Sequence, residues 1–253
     1  MRIQDYLLLA LLFLLPAVFS HEAGGEVMAE QFHTDSWSYI GIPNQLNILF
    51  AASLISGLAI FYAIFVKNSS ERIKKLVYLF IAVPIAASTL YLMGATVYQN
   101  LVSVSGGPVH WHADYEVWAC GEKFEQADPT GLSNFVGTSL IHEHNDNRIH
   151  VEGVLLKKEQ ASLRSFFVAV GGDFDGDSLT FPTNKGIYTW NNGDKCNGLP
   201  AKWYVFVNGK MLGADAHDYE ISPYTMVPPG DEIKFVFTEK PSSQINPEIG
   251  GSS

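Results

Sequence analysis

Charged residues are scarce in this chain: they make up 17% of its 253 residues, against roughly 25% in soluble globular proteins. Basic residues are the scarcer kind, and the resulting net charge of -10 argues against a nucleic-acid partner. No GxSxG, P-loop, GxGxxG, HExxH or CxxCH motif occurs, so the sequence indicates no particular reaction. On balance this favours a binding or structural role over an enzyme.

Charge is rarest in the first part of the chain, where residues 1–104 carry only six acidic and five basic residues. The apolar run at 6–19 follows Arg2 and is too short to span a bilayer easily. It predicts a signal peptide over 1–20, with small residues before a cleavage after Ser20. An uncleaved N-terminal anchor is the alternative.

Two further runs, 46–66 and 76–98, contain no charge and have the length of a membrane-spanning helix. The loop between them, 67–75, is rich in lysine and arginine, so the positive-inside rule predicts that it is cytoplasmic. We therefore expect a multi-pass protein of the cell membrane, in contact with lipid, with the N-terminal arm 21–45 and the domain 99–240 outside. A soluble protein with two buried core helices is the alternative.

Cysteine occurs twice, at Cys120 and Cys196, both in the part expected outside. An oxidising compartment would let them pair, and neither has a second cysteine nearby to form a thiolate metal site. A disulfide is therefore favoured over metal ligation.

The exterior part has the pattern of an α+β domain. Strict alternation at 110–118 predicts a strand, and 148–152 repeats it. The segment 157–170 predicts a helix, Asn208-Gly209 a hairpin turn, and the residues after Asp231 a last strand before a polar tail over 241–253. This order fits a β-grasp-like sheet around one helix, with a cupredoxin-like sandwich as the alternative.

Histidine is concentrated in the same domain. On a strand, residues two apart point to the same side, so the pairs His110/His112 and His142/His144 can each converge on one ion. Asp114 continues the first row, and His150 stands in phase with Glu152. Imidazole suits copper and zinc among other metals, so the pattern predicts a copper or zinc site. A polar sheet face or a pH-sensing cluster are the alternatives.

His21 would become the first residue if cleavage follows Ser20. An amino terminus and its imidazole can chelate copper together, and an HxH pair could complete such a site. This arrangement resembles copper monooxygenase subunits, and it implies a copper-dependent oxidoreductase as one alternative function.

Four stretches, HWHADYEVWACGEKF, LIHEHNDNRIHVEG, KWYVFVNGKM and PPGDEIKFVF, resemble a largely uncharacterised exported domain of archaea and candidate-phylum bacteria, over about residues 107–238. The resemblance implies a shared fold and marks the positions His110, His112, Asp114, His142, His144 and His150. The layout of two membrane helices and an exterior β domain also resembles cytochrome oxidase subunit two. Its binuclear copper motif needs two neighbouring cysteines, which this chain does not have.

Together these patterns predict a membrane-anchored, extracytoplasmic protein that binds copper or zinc and is accessory to a membrane complex. A structural subunit is another alternative, because small residues in both apolar runs would allow close packing with helices of other membrane-protein subunits.

Overall fold

The computed structural model describes residues 40–66, 69–221 and 230–250, which form two compact units. Residues 40–98 are helical and residues 99–250 are rich in β-structure, so the α+β class is confirmed for the described ranges. The signal peptide over 1–20, His21 and most of the arm 21–45 lie outside these ranges, and those predictions stay predictions.

The helical unit contains α1, Gln45–Phe65, and α2, Glu71–Val102. α1 begins where the Asn44 side chain accepts a hydrogen bond from the Leu46 amide at 2.8 Å. α2 begins five residues before the predicted apolar run. Glu71 favours its N-terminal turn and pairs with Lys74 at 2.7 Å. By length and composition both helices could cross a membrane, and most of their apolar side chains are exposed, with only Ala95 buried among them.

The β-rich unit has thirteen strands among its described residues and one short α-helix, α3, Leu163–Ala169. The strands are β1 Pro108–Ala119, β2 Glu122–Phe124, β3 Val136–Gly137, β4 Ile141–Glu143, β5 Arg148–Val154, β6 Asp173–Phe174, β7 Ser178–Thr183, β8 Gly186–Asn191, β9 Lys195–Cys196, β10 Leu199–Pro200, β11 Lys202–Val207, β12 Lys210–Met211 and β13 Asp231–Thr238.

The main sheet has the strand order β12-β11-β13-β1-β5-β4-β3, with β2 paired to the end of β1. β1 and β13 run parallel at its centre, and the other pairs are antiparallel. β6, β7 and β8 form a smaller sheet, and β9 pairs with β10. The predicted hairpin is confirmed: β11 and β12 are joined by Asn208 and Gly209, both at the positive φ that such a turn requires.

The core lies between one face of the main sheet and α3. Ala113, Tyr115 and Val117 of β1 point into it, with Phe166 and Phe167 of α3, as the alternation predicts. The helix is shorter than the predicted 157–170, because Ser162 has an extended backbone and its hydroxyl caps α3 through the Ser165 amide at 3.1 Å. Residues Lys158–Ala161 form a separate 3-10 turn.

The opposite face of the sheet carries the histidines near the start of β1 and is covered near its end. Ile245, from the polar tail, packs there against Phe206 and Val236. The fully buried Lys234 ammonium donates to the Glu248 carbonyl at 2.8 Å. Residues up to 250 therefore belong to the packed domain.

The disulfide between Cys120 and Cys196 is confirmed. Cys120 follows β1 and Cys196 lies in β9, 76 residues later, so the bond ties the main sheet to the β9–β10 hairpin. Because both sulfur atoms are in the disulfide, neither cysteine can be a thiolate ligand of a metal.

Candidate metal site

Three adjacent strands bring the predicted histidines together. In the register of β1, β5 and β4, His112 lies directly opposite His150, and His150 directly opposite His142. Because side chains alternate along a strand, all three rings point away from the apolar core. His110 precedes His112 by two residues on β1 and lies opposite Glu152. His144 follows the end of β4, at the other end of the row.

The five rings form two groups of three that share His150. The first trio is His110, His112 and His150, and the second is His142, His144 and His150. Within each trio the candidate ligand nitrogens lie within 4.8 Å of one another. His142, His150 and His112 are buried, whereas His110 is exposed. Each trio could hold a metal ion.

Asp114 pairs with Arg148, although its position in the row predicts that it joins the histidines. Its carboxylate accepts from Arg148 at 2.5 Å and 3.2 Å, in a two-point contact across β1 and β5. It is in neither trio. Whether it joins a metal remains a prediction, and His21 lies outside the described residues.

In the second trio, the ring orientations place two unprotonated nitrogens opposite each other. His142 Nδ1 lies 3.0 Å from the Thr138 carbonyl, and His144 Nδ1 lies 2.7 Å from the Asn134 carbonyl. A carbonyl only accepts, so each Nδ1 carries the ring proton, and in a neutral imidazole Nε2 is then a lone pair. The two Nε2 atoms nevertheless face each other at 3.1 Å. Two lone pairs at this distance repel each other unless a proton or a metal ion lies between them.

The first trio has a similar pair with a carboxylate behind it. His110 Nε2 and His112 Nε2 are 2.8 Å apart, and His110 Nδ1 lies 3.4 Å from the Glu152 carboxylate. A carboxylate behind a histidine fixes its tautomer and strengthens it as a ligand. With His110 Nδ1 protonated toward Glu152, its Nε2 is free to face the His112 ring.

His150 belongs to both trios. Its Nε2 lies 3.2 Å from the Asp146 carboxylate. Its Nδ1, like that of His112, is buried without a hydrogen-bond partner among the residues that the structure describes. Buried nitrogens without partners are uncommon in folded proteins, and a ligand is one reason for them.

Burial also favours the neutral form of His112 and of His142. It lowers the pKa of His112 below the usual 6.5, and the neighbouring His150 and His110 lower it further. Burial is likewise the main cause of the lowered pKa of His142, although Glu152 acts in the opposite direction. A protonated, cationic imidazole cannot bind a metal, so burial favours the form of both rings that can.

Several supporting groups were not predicted from the sequence. The Asn134 carbonyl lies before β3 and the Thr138 carbonyl between β3 and β4, and the Phe135 ring packs 4.8 Å from that of His142. Asp146 continues the spacing of two after His142 and His144, which was a usable signal. The two backbone carbonyls could not be predicted from the sequence, because every residue has one.

Glu143 holds the turn that carries His144 and Asp146. It is 1% exposed, and its Oε1 accepts from the amides of Asp146 at 2.7 Å and Asn147 at 3.0 Å. The turn needs this support because Asn145 and Asn147 both have positive φ. Glu143 is therefore a positioning residue for the second trio.

Replacing Glu143 by glutamine is expected to lower the free energy of unfolding by about 2 kcal/mol, because two charge-assisted hydrogen bonds become neutral ones. Zinc affinity should fall about tenfold, as for other residues that support metal ligands. Denaturant unfolding and zinc titration would measure the two effects. Glu122→Gln is the matched control, since Glu122 is exposed on β2. An unchanged affinity in Glu143→Gln would contradict the positioning role.

Comparison of the chain with protein-family models, curated proteins and solved structures gives no match. The family resemblance of residues 107–238 therefore stays a prediction, and the chemistry of the site has to be argued from its own residues.

Proposed function

We propose that this protein binds a transition metal ion, copper or zinc, through the histidine cluster of its β-rich domain. The observation that carries the proposal is the second trio. His142 and His144 point two Nε2 lone pairs at each other at 3.1 Å, each fixed by a backbone carbonyl behind the ring. A proton between them would make one ring cationic, which burial disfavours at His142. A metal ion between them would satisfy both lone pairs without a positive charge on either ring.

The spacing of the nitrogens supports a small ion. Two nitrogens that each lie about 2.1 Å from a tetrahedral zinc ion are roughly 3.4 Å apart. The observed Nε2 separations of 3.1 Å and 2.8 Å need only small ring movements to reach that value. Imidazole donors with nearby carboxylates favour zinc and copper over calcium or magnesium, which prefer oxygen ligands alone.

We also propose that the domain lies outside the cell membrane, anchored by α1 and α2. Both helices are long and apolar enough to cross, and Arg72, Lys74 and Lys75, at the start of α2, carry the positive charge expected on the cytoplasmic side. The Cys120–Cys196 disulfide supports an oxidising compartment. Lipid, and the helices of partner subunits, would then cover the exposed apolar side chains.

Capture or delivery of metal beside a membrane complex is the role that this placement favours. The cluster is reachable from solvent on the His110 side, whose side chain is 57% exposed. The fold that we propose is β-grasp-like, because β1 and β13 run parallel at the centre of the sheet and α3 covers one face. The resemblance of residues 107–238 to the exported domain family implies that this family shares the fold of the domain.

Metal content tests the function. The full chain in mild detergent is equilibrated with zinc or copper, passed through a desalting column, and assayed by elemental analysis. We expect bound metal in the wild type and in His217→Ala, whose histidine is in neither trio. The variant His112→Ala/His142→Ala/His150→Ala should retain none, with its circular dichroism showing an intact fold. Equal metal content in the triple variant and the wild type would refute the proposal.

A further inference from the structure

The other histidines of the two trios lie on opposite sides of β5, the strand that carries His150. His150 occupies the central strand of three, with His112 opposite it on β1 and His142 opposite it on β4. His110, also of the first trio, lies opposite Glu152. His144 lies beyond His142 toward the other end of β5. The centres of the two trios are therefore on different sides of the His150 ring, diagonally across the sheet.

The two nitrogens of an imidazole ring are separated by one carbon, and their lone pairs point in different directions, so one ring can bind two ions. The centroid of the His150 ring is 4.4 Å from that of His112 and 4.7 Å from that of His144. One of its nitrogens, Nδ1, is buried without a hydrogen-bond partner in the described part of the chain, and the other lies 3.2 Å from Asp146. Among the described residues, no backbone carbonyl contacts either nitrogen of His150, whereas one contacts Nδ1 of His142 and another Nδ1 of His144.

Two carboxylates lie beside the cluster. Glu152 lies 3.4 Å from His110, and Asp146 lies 3.2 Å from the shared His150. Asp114, which follows His112 by two residues on β1, is paired with Arg148. The negative charges of Glu152 and Asp146 lower the electrostatic cost of holding two cations close together.

Resting on the metal-binding function proposed above, we propose that the cluster holds two ions, one in each trio, bridged by the two ring nitrogens of His150. When the second ion binds, the remaining N–H bond of His150 breaks and a metal–nitrogen bond forms. The proton leaves to solvent by way of Asp146, whose side chain is 43% exposed. No electron is transferred. The donor set of each ion is two neutral imidazoles and one nitrogen of the shared ring.

Stoichiometry distinguishes this arrangement from a single shared ion. We expect the full chain in detergent to bind two zinc ions, and His110→Ala/His112→Ala and His142→Ala/His144→Ala to bind one each. A wild type that binds one ion would overturn the two-ion inference and leave the metal-binding function standing. A wild type that binds none would overturn both.

Copper(II) tests the bridge itself. Two copper(II) ions joined through one imidazole ring are magnetically coupled, so the electron paramagnetic resonance signal of the loaded wild type should integrate to well under two spins per chain at low temperature. His150→Ala should abolish the coupling, so that each ion it retains contributes a full spin. Each double variant, with one ion, should also give an uncoupled signal. Two uncoupled copper ions in the wild type would overturn the bridge.

Discussion

Reduction of the Cys120–Cys196 disulfide is expected to lower the free energy of unfolding by about 4 kcal/mol. The bond closes a loop across 76 residues of sequence, and opening it returns that conformational freedom to the unfolded chain. The loop contains β2 to β8 and α3, so most of the domain between β1 and β9 is affected. Cys196 is buried at the edge of the core, so its replacement also weakens packing.

Denaturant unfolding of the full chain, with and without a mild reductant, measures this effect. The variant Cys120→Ala/Cys196→Ala is the matched control: it should be no more stable than the reduced wild type and should not respond to the reductant. A loss of less than 1 kcal/mol on reduction would mean that the loop is already constrained in the unfolded chain.

Zinc is expected to raise the free energy of unfolding by about 4 kcal/mol per ion when its free concentration is a thousand times its Kd. This stabilisation should be present at about pH 7.5 and absent near pH 5, because protons and metal compete for the same ring nitrogens. The metal-free chain should also lose stability on acidification. Since the folded pKa values of His112 and His142 lie below 6.5, the unfolded chain binds protons first and is favoured as the pH falls through 6.5.

Thermal unfolding at several pH values, with zinc or with a chelator, checks this prediction. His112→Ala/His142→Ala/His150→Ala should show no zinc effect at any pH and a weaker acid sensitivity than the wild type. His217→Ala should keep both responses. A zinc effect that is equally large at pH 5 and pH 7.5 would show that ligands other than imidazole hold the metal.

Local sequence pattern was sufficient for β1, β5, the β11–β12 hairpin and β13, and for the direction of the side chains in β1 and β5. Alternation in β1 and β5 fixed which residues enter the core, because the period of a strand is two. Asn208-Gly209 fixed a hairpin, because few other residues accept its backbone angles. The start of α3 was predicted too early, since the extended backbone at Ser162 depends on packing that no local pattern records.

The sequence by itself determined that the two rings of an HxH pair lie on one side of any strand that carries them, because this follows from backbone geometry alone. Only the tertiary structure decided that His112, His150 and His142 form one row, because strand order and register are set by contacts between distant segments. It also decided that Asp114 pairs with Arg148 and that the Asn134 and Thr138 carbonyls orient two rings. Those contacts turn a histidine-rich segment into a candidate metal site.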